Sequence, residues 1–408
     1  MYGGIYAVKI LQVNAVSDTG STGRLVRELA DGLDELGHES HIAYSQGDST
    51  FHNSFKFGTK LEQKMHAFLS RILGLQGYFS YIGTLSLIIR MKKIKPDIIH
   101  LHNLHSNNIS LDLLMKYIER LNIPVVITLH DCWFYTGKCC HYTKVKCSKW
   151  KNKCERCPQI KSYNKSYFFD RTDKMYLDKK KYFNSLDNLA VIGVSKWITE
   201  EAKQSILSNA KVINYVYNWI NFDIFYPRKV DEMRKELNIK DKYVILGVSA
   251  LWDEDKGIKD FIKLSKVLDE DTIIILVGQI PKNITLTNNI INIKRTNNAD
   301  ELAKYYSIAD IFINLSKQET FGLVTAEALA CGTPVVVYNT TGCQELVEDS
   351  CGSIAKLEDI GDLYENIMKI KEMGKASISK QCVRYAYSNF SYTTNIKQYE
   401  DVYKELLK

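Results

Sequence analysis

The chain has 408 residues, more than one hydrophobic core usually supports, so two domains of roughly 200 residues each are expected. With 45% apolar and 25% charged residues, the composition excludes a disordered or fibrous chain. The net charge of +7 is unevenly placed: Lys138 to Lys181 holds fourteen Lys or Arg against four acids, which leaves the remainder slightly acidic.

The opening MYGGIYAVKILQVNAV has no basic stretch ahead of an apolar run and no small-residue cleavage pattern, so it reads as a first strand and not as a signal peptide. Then come the polar turn SDTGSTGR and VRELADGLDELGH, whose apolar positions recur at helical spacing. Gly20 and Gly23 open that helix, where glycines let a ligand approach the backbone; a simple tight turn explains them equally. The apolar window Ile82 to Ile89 is cut off by Arg90, Lys92 and Lys93, far short of the roughly 20 residues of a membrane span. Strands follow at PDIIHLHN, PVVITLHD and LAVIGVS, short and unbroken as buried parallel strands are, with helices at LDLLMKYIERL and KWITEEAKQSIL. His130 ends the second of these strands, at a rim where strand ends converge, in a position to donate a hydrogen bond to a ligand hydroxyl.

Cys132, Cys139, Cys140, Cys147, Cys154 and Cys157 fall close together with His141. Without a signal peptide, thiols point to a reducing, cytoplasmic compartment. Cys154-x-x-Cys157 has the spacing of a zinc knuckle, and Cys139 and Cys147, though more widely separated, complete a candidate structural zinc site; free buried thiols are the alternative. The basic stretch around them suits nucleic acid or anionic lipid headgroups. Its setting in an enzyme-like scaffold favours lipid, at the inner face of the membrane, and argues against nucleic acid.

A second strand–helix series starts near residue 243: YVILGVSAL, KDFIKLSKVL, TIIILVG, ELAKYYSIA, DIFINLS, VTAEALACG, TPVVVYN. The aromatic VYNWINFDIFYPRK breaks the alternation and marks a linker at about residues 215–230. The expected fold is α/β, two doubly wound Rossmann-like domains facing a cleft. The expected domains are 1–214, with a Cys-rich insertion at about 132–181, and 215–385. Residues 386–408 form a final helix packing back across the junction. Open parallel sheets bind ligands outside the carboxyl ends of their strands.

The most informative stretch runs from Asn314 to Val347. Glu319 precedes Phe321-Gly322, a helix starts near Leu323, and Glu327 sits one turn inside it, facing the same end of the cleft. The unpaired N–H groups of such a helix start can receive a diphosphate, and flanking carboxylates suit hydroxyl donors. In isolation, two glutamates at this spacing describe an ordinary helix.

Together with the following EALACGTPVV and with Gly342-x-x-Glu345, this Glu319-x7-Glu327 pattern resembles the group-one family of retaining GT-B glycosyltransferases (family 4), over nearly the whole chain. The resemblance implies that Glu319 contacts the donor sugar, Glu327 the ribose, and Lys256, before Gly257, the diphosphate. Phe321, Gly322 and Leu323 border the donor, the Gly20–Gly23 loop lies over its phosphate, and His130 lies close to its sugar. Ala250 stands where the family carries an arginine, so Arg24 or Arg295 is the candidate second cation. The resemblance also implies that 1–214 is the acceptor-side domain and 215–385 the nucleotide-sugar-binding one, and His100, His102, Asn103 and His105 are candidates for the acceptor wall. The triplet Asp253-Glu254-Asp255 mimics a metal–diphosphate site, but Lys256 and a helix terminus already neutralise charge there. The run HDCWFYTG with the cysteines after it resembles a subset of bacterial polysaccharide glycosyltransferases. The implied reaction moves a hexosyl unit from a nucleoside-diphosphate sugar to a glycan or lipid-diphosphate-linked acceptor, with retention and no catalytic metal, the leaving phosphate taking the acceptor proton. A sugar-nucleotide epimerase of related fold and a basic Cys-rich nucleic-acid-binding protein are the alternatives.

Overall fold

A computed structural model describes residues 7–408. Of the opening strand, β1 spans Lys9–Val13; Met1 to Tyr6 lie outside the described residues. The chain divides into two units: one runs to Val216 and takes in Thr393–Lys408, the other is Tyr217–Tyr392.

In the first unit β1 is joined by β2 (Glu39–Tyr44), β3 (Ser54–Lys56), β4 (Ile98–Leu101), β5 (Val125–Leu129), β6 (Leu189–Gly193) and β7 (Val212–Tyr215). They form a parallel sheet of order β3-β2-β1-β4-β5-β6-β7. Strands β4, β5 and β6 are buried at every position, which is why their sequences are unbroken apolar runs instead of alternating ones. β2, β3 and β7 carry polar residues and give no such signal.

The second unit repeats the plan with β8 (Tyr243–Leu251), β9 (Thr272–Gln279), β10 (Ile290–Ile293), β11 (Ile311–Asn314), β12 (Val335–Tyr338) and β13 (Gly352–Ala355). Its order, β10-β9-β8-β11-β12-β13, again reverses next to the first strand. Ile245, Phe261, Leu276, Ile313, Val336 and Leu363 belong to its core. In each sheet the reversal, between β1 and β4 and between β8 and β11, opens a crevice at the carboxyl ends that no crossover helix covers.

Two further segments are informative. The aromatic stretch after Val216 is folded into the second unit: Tyr217, Trp219, Ile220 and Phe225 are buried, and the Ile220 N–H donates to the Phe390 carbonyl at 3.0 Å. The helix Tyr392–Leu406 returns to the first unit, where its Tyr403 hydroxyl meets His100 Nδ1 at 2.7 Å, Tyr399 meets Thr128 at 3.1 Å and Glu400 meets His38 at 3.1 Å.

Candidate active site

The second unit concentrates charge at its strand reversal. The loop after β8 carries Lys256 and Gly257, and the loop after β11 carries Glu319. Gly257 sits at φ +78, and a Cβ there would lie 2.5 Å from Leu315, so the missing side chain lets the two loops meet. Lys256 Nζ lies 2.6 Å from Glu319 Oε2. Burial works against the Lys256 charge, but the Glu319 carboxylate outweighs it and holds the ammonium above its ordinary range.

Glu319 is not in an open loop. Its neighbours Gln318, Thr320 and Phe321 are buried, and its own backbone is pinned on both sides. The Glu319 N–H donates to Thr341 Oγ1 at 2.9 Å, while its carbonyl accepts from the Thr341 hydroxyl at 2.6 Å and from the Gly342 N–H at 3.0 Å. Thr341 does this at φ +45, an unfavourable conformation for a β-branched residue. Gly322, at φ +96, precedes the helix Leu323–Ala330; a Cβ on it would meet Asn314, Glu319 and Thr325, each at 3.5 Å. That helix start therefore stands directly beside Glu319.

Glu327 is buried one turn further on and accepts a hydrogen bond from the Tyr306 hydroxyl at 2.9 Å. Arg295 is exposed just past β10, two strands from β8 in the sheet order. Ala250 is exposed near the end of β8, where the register with β9 shifts between Val248 and Leu251. Opposite it Gly278, at φ +128, is required because a Cβ would lie 1.7 Å from the Ser249 carbonyl. Sequence reasoning missed Gly278 and Thr341; the glycine ending the apolar run TIIILV was the available signal for the first.

In the first unit the reversal carries imidazoles. Gly20 opens the helix Gly20–Glu35 at φ +70 with nothing near its missing Cβ, whereas a Cβ on Gly23 would lie 1.8 Å from the Ser17 carbonyl, so Gly23 serves helix-to-loop packing. Arg24 lies 3.9 Å from Glu28 one turn on. Asn103, after β4, donates its side-chain amide to Thr22 Oγ1, in the first turn of that helix, at 3.5 Å, and its backbone N–H to Asn14 Oδ1 at 3.0 Å.

His130, after β5, stacks on His102 with ring centres 5.3 Å apart, and the two share a hydrogen bond of 3.1 Å. The chain of donors fixes the tautomers. Gln12 donates its amide to the Val26 carbonyl, so its oxygen accepts from His102 Nε2 at 3.0 Å. Neutral His102 then accepts at Nδ1, and His130 Nε2 donates to it, which makes His130 Nδ1 an acceptor. Burial pushes the His130 imidazole down to about 4, and those of His100 and His102 well below their ordinary value, so the row is neutral. In this arrangement the His130 Nε2 proton is directed at His102, so a ligand would be met by the other ring nitrogen, Nδ1.

His105 behaves oppositely. Its Nε2 lies 2.8 Å from Asp131 Oδ2, and although burial opposes it, Asp131 raises the His105 pKa. Asp131, against its own burial, is held down to about 2 by His105 and the Trp133 N–H. Among the described residues, His105, Asp131 and Cys140 are the set of metal-ligating groups whose atoms all lie within 4.8 Å of one another.

The four cysteines with zinc-like spacing, Cys139, Cys147, Cys154 and Cys157, line one small cavity with Thr136 and Trp150, and Cys139 hydrogen-bonds Cys157. Among the described residues the four do not form a set of ligand atoms all within 4.8 Å of one another, so they are not gathered as a four-thiolate zinc would hold them. Two lysines brace this region from inside. Lys138 donates to the carbonyls of Gln159, Ile160 and Ser162, and Lys179 to those of Trp133 and Thr136. The basic run is therefore not wholly a surface feature.

Two Rossmann-like sheets that match in order over six strands, the first adding β7 at its edge, each with polar groups at its reversal, define the GT-B class of fold. The family model for glycosyl transferases group 1 matches residues 229–389, and that for glycosyltransferase family 4 matches residues 22–224. Between them they take in most of both units, and the chain belongs to this family of glycosyltransferases. It is 21% identical to a putative colanic acid biosynthesis glycosyl transferase of Escherichia coli (strain K12), over 94% of this chain and 99% of that protein. It is 25% identical to the N-acetyl-alpha-D-glucosaminyl L-malate synthase of Bacillus anthracis, over 53% of this chain and 60% of that relative's length. In fold it is similar to the Anabaena protein HepE, solved in complex with UDP-glucose, with a TM-score of 0.68 at 16% identity, covering 98% of this chain and 100% of that one.

Proposed function

We propose that the protein is a retaining, metal-independent glycosyltransferase that moves a hexosyl unit from a nucleoside-diphosphate sugar to a glycan or lipid-diphosphate-linked sugar in surface polysaccharide biosynthesis. The observation that carries this reading is the Lys256–Glu319 pair, a cation and a carboxylate 2.6 Å apart beside a helix start at the reversal of the second sheet. A diphosphate takes over the ammonium of Lys256, and the released Glu319 carboxylate accepts hydrogen bonds from sugar hydroxyls. The backbone at Phe321, Gly322 and Leu323 faces the phosphate charge. Glu327 exchanges its Tyr306 bond for the ribose. Arg24 and Arg295 remain the candidates for a second cation.

In the reaction the bond between the anomeric carbon and the diphosphate oxygen breaks, and the acceptor oxygen bonds to that carbon on the same face. The acceptor proton passes to the departing phosphate, and Lys256 stabilises the charge left on the nucleotide. His130 accepts at Nδ1 from a hydroxyl of the sugar, and His100, His102, Asn103 and His105 belong to the acceptor side. The structural relative solved with UDP-glucose supports starting a donor screen with UDP-hexoses, and the relative from colanic acid biosynthesis supports a polysaccharide product. Donor hydrolysis releasing free nucleotide, and sugar incorporation with retained configuration, are the expected outcomes; no nucleotide release from any sugar nucleotide would sink the reading.

The cysteine cavity carries a second, separate proposal of a structural zinc. About one zinc per chain by elemental analysis, lost in the Cys154→Ser, Cys157→Ser double variant, is the expected result. Metal-free protein with unchanged melting leaves the four as free thiols.

A further inference from the structure

The helices Lys60–Leu73 and Tyr81–Ile94 are built partly inside out. On the first, the inward residues are His66 and Ser70, while Leu61, Met65 and Phe68, at i, i+4 and i+7, point into water, Phe68 with 62% of its surface exposed. The orientation is fixed: the Gly77 N–H donates to His66 Nε2 at 3.1 Å, and the other ring nitrogen meets Ser80 Oγ at 2.7 Å. Rotating the helix to hide Phe68 would break both bonds. On the second helix Leu87, Ile88 and Met91 fill the core, yet Ile82, Leu85 and Ile89 stand on the outer side, Ile82 at 73% exposure.

The two outer faces adjoin. The Glu62 carboxylate accepts the Gly83 N–H at 3.0 Å, and Gly83 is so close that a Cβ would lie 2.8 Å from Gly58 Cα. At the far end of the first helix the Tyr167 N–H donates to the Arg71 carbonyl at 2.7 Å, bringing the exposed rings of Tyr167, Phe168 and Phe169 alongside. Cations run among these apolar residues: Lys60, Lys64 and Arg71 on the first helix, Arg90, Lys92 and Lys93 on the second, all exposed. The single acid of the two helices is Glu62, and Gly83 occupies it.

We infer that this face docks on an anionic lipid bilayer. Large apolar side chains interleaved with Lys and Arg, with aromatic rings at the rim, are what a headgroup layer accommodates: the hydrocarbon sinks below the phosphates and the cations stay among them. A neutral protein partner would leave six cations unmatched. Of the basic run Lys138–Lys181, the segment around Tyr167–Phe169 borders this face, with Lys161 and Arg171 over its rings; the remainder is the other basic region, two of whose lysines turn inward. The inference deepens the lipid-linked acceptor reading, which gives it a purpose, but it stands on this face alone.

The test uses the full chain sedimented with phosphatidylcholine vesicles, with or without phosphatidylglycerol. Binding to the mixed vesicles only, weakened by salt, is expected. The Phe68→Ser, Ile82→Ser variant and, separately, the Lys64→Glu, Arg71→Glu variant should each lose about tenfold or more of that binding. The Lys144→Glu, Lys180→Glu variant in the other basic region should bind as the unchanged protein does. Wild-type protein left in the supernatant, full binding by the Lys64→Glu, Arg71→Glu variant, or loss confined to the Lys144→Glu, Lys180→Glu variant would overturn the inference. So would a dimer that forms without vesicles and dissolves in the Phe68→Ser, Ile82→Ser variant. Vesicle binding intact in protein that releases no nucleotide from any sugar nucleotide tells against the transferase reading instead.

Discussion

Over six strands the two sheets share one order, β7 being an extra edge of the first, and they differ in what stands at the reversal. The second unit places an ammonium, a carboxylate and a helix start there. The first places a row of neutral imidazoles with one charged pair, His105–Asp131, beside it. All nine histidines of the chain fall before Val216. Topology thus opens the crevice twice, and the residues after β1, β4 and β5, or after β8 and β11, give each its chemistry. A charged site answers to the charge of a ligand; a neutral row answers to hydroxyls and to pH.

The sharpest way to break this contrast is at the carboxylate. Glu319→Ala should lower turnover by about a hundredfold or more through lost positioning, with circular dichroism unchanged; an active variant refutes the donor-site assignment. Lys256→Ala should cost about a hundredfold, because the leaving diphosphate loses its nearest fixed cation. Normal nucleotide binding and turnover in that variant would pass the role to Arg24 or Arg295. His130→Ala, at the neutral site, should cost about tenfold, the loss of roughly one hydrogen bond, read as kcat/KM.

The pH response should separate the units more gently. Burial pulls His130 and His66 down to about 4, below the value of about 6.5 of an unfolded histidine. As pH falls, the unfolded chain therefore takes up protons first, so their contribution is complete above about 6.5 and lost between about 6.5 and 4. His105 is raised and runs the other way, contributing below its unfolded value and fading as pH rises through its folded one, which partly offsets them. Calorimetry at neutral and mildly acidic pH should show the first unit melting earlier in acid while the second holds; parallel shifts would contradict the assignment. Brief EDTA treatment should have the smallest effect, leaving turnover nearly unchanged, and an immediate block restored by manganese would overturn the metal-independent mechanism.

Much of the scaffold could be read from residues alone because buried parallel strands are apolar throughout, as in PDIIHLHN, PVVITLHD and TIIILVG. The polar strands β2, β3 and β7 could not, since their pairing partners and not their composition make them strands. At the candidate site, Glu319, Lys256 and Gly257 were marked by the resemblance of their local motifs to the family, since two glutamates at this spacing alone describe an ordinary helix. The clamp from Thr341 and the relay from His130 through His102 to Gln12 were not: each joins residues far apart in sequence through a hydrogen bond that spacing does not encode. Likewise the inverted face of the helix Lys60–Leu73 depends on His66 finding Gly77 and Ser80.

The helix Tyr392–Leu406 adds an order of events. It is synthesised after the whole second unit, yet it supplies Tyr403 to His100, Tyr399 to Thr128 and Glu400 to His38 in the first. Until it arrives, His100 on β4 and Thr128 on β5 have each other, but the second bond of each, to the Tyr403 and Tyr399 hydroxyls, is not yet made. The first unit to begin folding on the ribosome is therefore the last to finish, and a chain truncated before Thr393 would have its second unit whole but its first left open.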